Sequence, residues 1–249
     1  MKEIIKVSNL RRDFPVGNEV VRALRGVSFT ICEGEFVTIM GTSGSGKSTL
    51  LNILGCLDVQ TSGEFFLDGV DVRSISRNDR AELRNRKIGF IFQSYNLLPK
   101  TTSIENVELP LLYNSTVSSA QRRKKAIEAL EEVGLGDRLL HKSNQLSGGQ
   151  QQRVAIARAL VNSPVLILAD EATGNLDSRT SYEVLTLFQK LHAEGRTIVF
   201  VTHNPELSDF SSRTITLKDG HIISDTRNSS IRSAREVLDS LPEDNDNQQ

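Results

Sequence analysis

The residues from Gly41 to Thr49, GTSGSGKST, have the types and spacing needed to wrap a chain of phosphates. Gly41, Gly46, Lys47 and Ser48 fill the pattern G-x-x-x-x-G-K-[ST], in which glycine lets the backbone curl until its amides face an anion. Lys47 would reach the β and γ phosphates of a nucleotide and Ser48 would hold Mg²⁺, with Thr42, Ser43, Gly44, Ser45 and Thr49 completing the cradle. The match gains weight from its flanks: the compact apolar run EFVTIMG precedes it and the helix-like KSTLLNILGCL follows, giving strand, loop and helix in the required order.

A second run, VLILADE, delivers Asp170 and Glu171 where a buried strand ends, the edge at which α/β sheets place ligand chemistry. Asp170 is expected to bind Mg²⁺, directly or through water. Glu171 would act as general base, or position the water that attacks the γ phosphate. Taken alone, an Asp-Glu pair after an apolar run also describes a strand end meeting solvent. His203 ends TIVFVTH and Gln93 ends IGFIFQ in the same manner, His203 as a candidate catalytic residue and Gln93 as a neutral ligand for Mg²⁺ or water. Singly each is a weak signal; together with the phosphate loop they form a constellation.

QLSGGQQQRVAIARAL, from Gln145 to Leu160, raises a different question. Ser147, Gly148 and Gly149 make a small-residue turn into a helix whose apolar positions are Val154, Ile156, Ala157 and Leu160, another arrangement that offers amides to an anion. The chain therefore has two phosphate seats, and one nucleotide needs only one.

The elements that must position these groups are short strand-like runs alternating with helical patterns, which predicts an α/β domain with a mostly parallel sheet. IIKVSNL, VSFTI and FFLDGVDV predict an antiparallel β subdomain beside it. From about residue 95 to 160 the pattern turns to helix and loop, read as a helical insertion, with Ala126, Leu130 and Val133 on one face of AQRRKKAIEALEEVGL. The Arg122–Lys125 run is read as that helix's solvated face. The helix SYEVLTLFQKLHAEG and the hairpin RTITLKDGHIISDT complete a domain over residues 1–227, and residues 228–249, ending LPEDNDNQQ, are expected to be an acidic, flexible tail with at most one short helix.

Composition narrows the partners. Lys and Arg number 30 against 31 Asp and Glu, a net charge of -1, so no excess of positive charge favours nucleic acid. Cys32 and Cys56 make neither a metal cluster nor a disulfide framework and are read as reduced core thiols. No apolar run approaches the ~20 residues that span a bilayer, so the protein is expected in the cytoplasm, with membrane work left to another chain.

The phosphate loop, Gln93, LSGGQ from Leu146 to Gln150, Asp170 with Glu171, GNLD ending at Asp177, and His203 together resemble the ordered motif set of ABC ATPase subunits, over nearly the whole chain up to about residue 225. The resemblance implies a P-loop NTPase core with an ABC-type helical insertion. NILGCLD, FQSYNLLP, SIENVELPL and TGNLDS are similar to the exporter-type subgroup that includes macrolide, lipoprotein-releasing and peptide-resistance ATPases and a division-associated relative.

The resemblance implies an ATPase that works as a homodimer. Ser147, Gly148, Gly149 and Gln150 of one subunit would close on the ATP of the other, with Asp177 at the boundary and His203 on the γ phosphate. Phe14 stands where the family places an aromatic ring against adenine. The implied partner is a four-helix permease with an extracytoplasmic domain, which would hold the ATPase on the cytoplasmic face of the membrane. Alternatives within reach of the same residues are a non-transport signalling complex of the division type and a soluble ABC ATPase. One departure stands out: the family usually has proline after the Asp-Glu pair, and here Ala172 is expected to loosen the link between Glu171 and Asp177 without abolishing hydrolysis.

Overall fold

A computed structural model describes residues 2–114 and 116–242. Strands β1 (Glu3–Val16) and β2 (Glu19–Cys32) lead into β3 (Phe36–Met40), the phosphate loop and α1 (Lys47–Leu54). After β4 (Ser62–Leu67) and β5 (Val70–Asp71) come α2 (Arg77–Lys87) and β6 (Ile88–Phe92). Helices α3 (Ser103–Glu108), α4 (Ser119–Glu132) and α5 (Gly148–Leu160) follow without an intervening strand. The chain then returns to β7 (Leu166–Asp170), α6 (Ser178–Ala193), β8 (Ile198–Thr202), β9 (Arg213–Lys218), β10 (His221–Arg227) and α7 (Ala234–Ser240).

Among the described residues the strands form two sheets. One is antiparallel, in the order β2-β1-β4-β5, and the other runs β10-β9-β3-β8-β7-β6, parallel except for β10 at its edge. The expected mostly parallel sheet, antiparallel β region and helical insertion are all present.

Strand alternation sorts the core into two layers. On β7, Leu166 and Leu168 face the side packed with α1 and the antiparallel sheet, beside Val37, Ile39, Val199 and Val201. Ile167 and Ala169 face the opposite side, where Phe36, Ile198 and Phe200 meet Val154 and Ile156 of α5 and Val184 and Phe188 of α6. Residues buried on both faces explain why these strands read as unbroken apolar runs. Ala126, Leu130 and Val133 are buried as their spacing predicts, while Lys124 and Lys125 are exposed. Cys56 is a buried free thiol, pushed up to about 11 by desolvation, and Cys32 is also free.

In the stretch expected to be a tail with at most one short helix, α7 is that helix, and it is docked on the domain. Gln189 of α6 accepts from the Ala234 amide at 2.9 Å and donates to the Arg232 carbonyl at 2.7 Å, Arg232 lies over the Phe210 ring, and Ala234 and Leu238 are buried. The polar composition hid two apolar anchors spaced one helical turn apart. Residues 243–249, which carry most of the acidic end, lie outside the described residues.

Candidate functional site

Parallel pairing brings four strand ends to one edge. Met40 is opposite Thr202, Asp170 is opposite Val201, and Phe92 is opposite Asp170, so the phosphate loop, Asp170-Glu171, His203 and Gln93 all leave the sheet on the same side. There a cavity of about 1050 Å³ opens, lined by Thr42, Lys47, Ser48, Asp170, Glu171 and His203 among others, a volume suited to a nucleotide-sized molecule.

The loop is built to receive an anion. Gly46 takes φ +103° at the start of α1, and no side chain caps that helix, which leaves the terminus without a protein acceptor from any side chain. A Cβ at Gly41 would come within 2.4 Å of the Leu217 carbonyl, and at Gly46 within 2.6 Å of the Ala23 carbonyl, so only glycine fits either position. The Ser45 hydroxyl is buried with no protein partner. The Lys47 ammonium donates to the carbonyls of Gly41 at 2.7 Å and Thr42 at 2.9 Å. Burial lowers its pKa, opposed by the Glu171 and Asp170 carboxylates, so the cation is held in readiness beside weak neutral acceptors that a phosphate oxygen outcompetes.

The acidic pair is divided by its surroundings. Asp170 is pushed above the ordinary carboxylate range, chiefly by desolvation and then by Glu171 next to it, with Lys47 pulling the other way. Glu171 takes φ +45°, an uncommon conformation for a side chain of this size, and its Oε1 accepts from Nδ1 of His203 at 2.7 Å. Its amide donates to the Val201 carbonyl and its own carbonyl accepts from the Gly174 amide.

Other predicted residues stand outside this cavity. Gln93 donates from Nε2 to Asn175 Oδ1 at 3.3 Å, and Asn175 donates back to the Gln93 carbonyl at 3.1 Å. Ser147 caps α5 by accepting from the Gln150 amide at 3.3 Å, while Gln150 Oε1 accepts from the Ser147 amide at 3.0 Å. Asp177 caps α6 through the Thr180 amide at 2.8 Å and the Thr180 hydroxyl at 2.6 Å, contacts that lower its pKa. None of Gln93, Ser147, Gly148, Gly149, Gln150 or Asp177 lines the cavity. Phe14 does not line it either; its ring carries the Arg12 guanidinium at 4.4 Å and sits directly across from Val21, which does.

The sequence reading missed several residues here. Val20, Val21, Arg22 and Ala23 on β2, with Asp219 and Gly220 at the β9–β10 turn, form one wall of the cavity. The Asp-Gly turn was visible in the sequence, but nothing local ties it or the start of β2 to the phosphate loop. Arg158, at the far end of α5, donates to the carbonyls of Tyr95 at 2.7 Å and Asn96 at 2.6 Å and so fixes the loop after Gln93. Ala172 is buried, and with Gly174 bonded to Glu171 and Leu176 to Thr173 the segment toward Asp177 is held by hydrogen bonds without proline.

Residues 24–174 match the family described as ABC transporter. The chain is 56% identical over 222 residues to an uncharacterized ABC transporter ATP-binding protein of Thermotoga maritima, covering 89% of this chain and 94% of that one. It is 48% identical over 235 residues to the macrolide export ATP-binding/permease protein MacB of Brucella melitensis, covering 94% of this chain but 36% of that much longer protein. Among solved structures it is similar to an ATP-binding cassette of Methanocaldococcus jannaschii, captured as a post-hydrolysis dimer with ADP and Pi, at TM-score 0.82 and 46% identity over 91% of this chain and 99% of that one.

Proposed function

The chain belongs to the ABC transporter ATP-binding family, and on that premise we propose how its two phosphate seats work together. It is an ATPase, the nucleotide-binding subunit of a transporter. In our reading Gly41 to Thr49 wrap the ATP phosphates, Lys47 moves from the Gly41 and Thr42 carbonyls to the β and γ phosphates, and Phe14 flanks the adenine. The observation that carries the two-seat reading is that Ser147–Gln150 lie outside the cavity that their own chain's phosphate loop lines. They are then offered to the ATP of a second copy. Ser147 suits this: its oxygen accepts from the Gln150 amide, which leaves its proton free to donate to a phosphate. Asp177 stands at the boundary between the copies, and the dimeric relative supports this arrangement.

Glu171 orients the attacking water and takes its proton, held in place by His203, whose Nδ1 donates to it. The positive potential around the γ phosphate comes from Lys47 and the loop amides. Among the described residues no cluster of three or more His, Cys, Asp or Glu side chains could cage a metal. Ser48 and Asp170 are hard oxygen donors, the sparse set that Mg²⁺ accepts when phosphate and water complete its shell, and Gln93 would join them on leaving Asn175. When bound, Mg²⁺ would neutralise charge developing between the β and γ phosphates.

No helix among the described residues is long and apolar enough to cross a membrane. We assign that part to a permease of the four-helix type with an extracytoplasmic domain, for export or mechanotransmission, which would hold the cassette at the cytoplasmic face. Its docking ground is the groove between α2 and the Leu109–Tyr113 turn, where Leu112 and Tyr113 are exposed. The test is a pair of variants read by light scattering, ATP binding and phosphate release. Glu171→Gln should trap a dimer in ATP, and Ser147→Arg should bind ATP without hydrolysing it. A Glu171→Gln protein that stays monomeric in ATP would overturn the two-seat reading.

A further inference from the structure

Helix α5 reaches the segment that carries Glu171 through the side chain of Gln152. Gln152 lies one and a half turns into α5, is fully buried, and donates from Nε2 to the Ala172 carbonyl at 2.7 Å. Its Oε1 is buried with no partner. A buried amide whose oxygen has no partner is costly, and a methionine would fill nearly the same volume without that cost. The one contact that the amide does make lies on the residue that follows Glu171.

That contact falls where the backbone is under strain. Glu171 is held at φ +45°, and a side chain stays in that region only when its surroundings over-determine it. Three bonds do so: the Glu171 amide to Val201 on β8, the Gly174 amide to the Glu171 carbonyl, and Gln152 to Ala172. The first two stay within the sheet edge and its own turn. Only the third comes from α5, the helix that begins with Ser147–Gln150.

We propose that Gln152 is a positioning residue that ties the Glu171 carboxylate to helix α5, so that closure of Ser147–Gln150 on the partner chain's ATP registers at the Glu171 of the same chain. The link rests on the two-seat reading above. α5 is a rigid lever: Val154, Ala155, Ile156 and Ala157 are buried along it, and Arg153 pairs with Glu183 of α6. A displacement of its N-terminus reaches Gln152 within the same helix and, through a single hydrogen bond, the peptide that sets the Glu171 conformation. Each ATP site of the dimer thereby acts on the readiness of the other.

The test is Gln152→Met in the purified full chain, measured for ATP affinity, kcat and KM, and combined with Glu171→Gln. We expect kcat to fall by about 10- to 100-fold, as a slight misplacement of a reacting group produces, with ATP affinity unchanged and thermal stability near that of the parent. In the Glu171→Gln background the same substitution should lower the residual rate no further, because it acts through that carboxylate. Should Gln152→Met not fold, Gln152→Asn, whose amide is one methylene short of Ala172, carries the same comparison. A folded variant with unchanged kcat, equal losses of kcat and ATP affinity, or additive losses in the double variant would overturn the proposal. The two-seat reading fails separately, by a monomeric Glu171→Gln protein in ATP, whatever Gln152 does.

Discussion

Two helices of this chain begin at glycine-rich turns, and they begin differently. α1 starts from Gly46 in the left-handed region with no side-chain cap, and its turn faces a cavity. α5 starts from Ser147 in extended conformation with a closed capping box between Ser147 and Gln150, and its turn is not part of that cavity's lining. The orphan amides of a helix end must find acceptors. At α1 none of the chain's side chains supplies one, so the end is a seat for an external anion. At α5 the capping box supplies acceptors for the Gln150 and Ser147 amides, so that end is held before any ligand arrives and the turn still has the serine proton to offer. On the two-seat proposal, the first terminus captures ATP within one chain and the second makes its contact on assembly.

The comparison is broken most severely at the α1 end. Lys47→Ala removes the cation that donates to the Gly41 and Thr42 carbonyls of the phosphate loop. Hydrolysis should fall on the order of 10²–10³-fold, the loss typical of a single donor to developing charge, and ATP binding should weaken with it. Phosphate release and nucleotide titration check this. If ATP binding survived at parental strength, the anion seat would not depend on its cation and the contrast with α5 would be lost.

The glycines sharpen the contrast at intermediate scale. Gly46→Ala forces a side chain into φ +103° and within 2.6 Å of the Ala23 carbonyl, a backbone atom that cannot step aside. It should cost about 1–3 kcal/mol of stability and impair ATP binding in a single chain. Gly148→Ala meets the Tyr95 hydroxyl at 3.0 Å, the far end of a side chain that can turn, and the Leu176 side chain at an ordinary contact distance of 3.5 Å. Its stability should stay within about 0.5 kcal/mol of the parent and ATP binding should be kept, while hydrolysis falls because the turn presented to the second copy is crowded. Denaturant unfolding with paired binding and turnover measurements separates the two. Equal effects on binding would mean that both turns serve one nucleotide.

How much of this was legible in the sequence depends on whether a signal was local. The phosphate loop, Asp170 with Glu171, and His203 each follow an apolar run, and parallel pairing of such runs brings their ends to one edge, so the proposed catalytic side of the cavity was readable from order alone. The opposite wall was not. Val20 to Ala23 sit at the exposed start of β2, where apolar and charged residues follow one another without alternation, and their place at the cavity follows from β2 crossing beside the β9–β10 turn. Gln152 was equally silent, the third glutamine of a QQQ run in which type and spacing distinguish nothing. The docked α7 was hidden for another reason: two buried residues, Ala234 and Leu238, outweigh a polar neighbourhood in holding a helix but not in an average of composition.

The smallest expected effect concerns stability and distinguishes the two ends without any ligand. Asp170 sits at the α1 cavity with its pKa raised, first by desolvation and then by Glu171. A carboxyl whose folded pKa exceeds its unfolded one binds its proton more tightly when folded, so its ionised form costs stability at neutral pH. That cost fades as pH falls through the folded pKa and is gone below the ordinary carboxylate value. Asp170→Asn should therefore raise Tm slightly near pH 7, with the gain shrinking in acid, while hydrolysis is lost. Asp177, capping α6 at the proposed boundary, has its pKa lowered by the Thr180 hydroxyl and amide, so its sign is opposite. Asp177→Asn should lower Tm near pH 7, and that deficit too should vanish as pH falls through the lowered pKa. Scanning calorimetry of both variants across that range reads the two signs directly. A site that stores destabilisation for a ligand and a boundary that is stable on its own must diverge at neutral pH, and variants that moved together would refute the distinction between the two ends of the molecule.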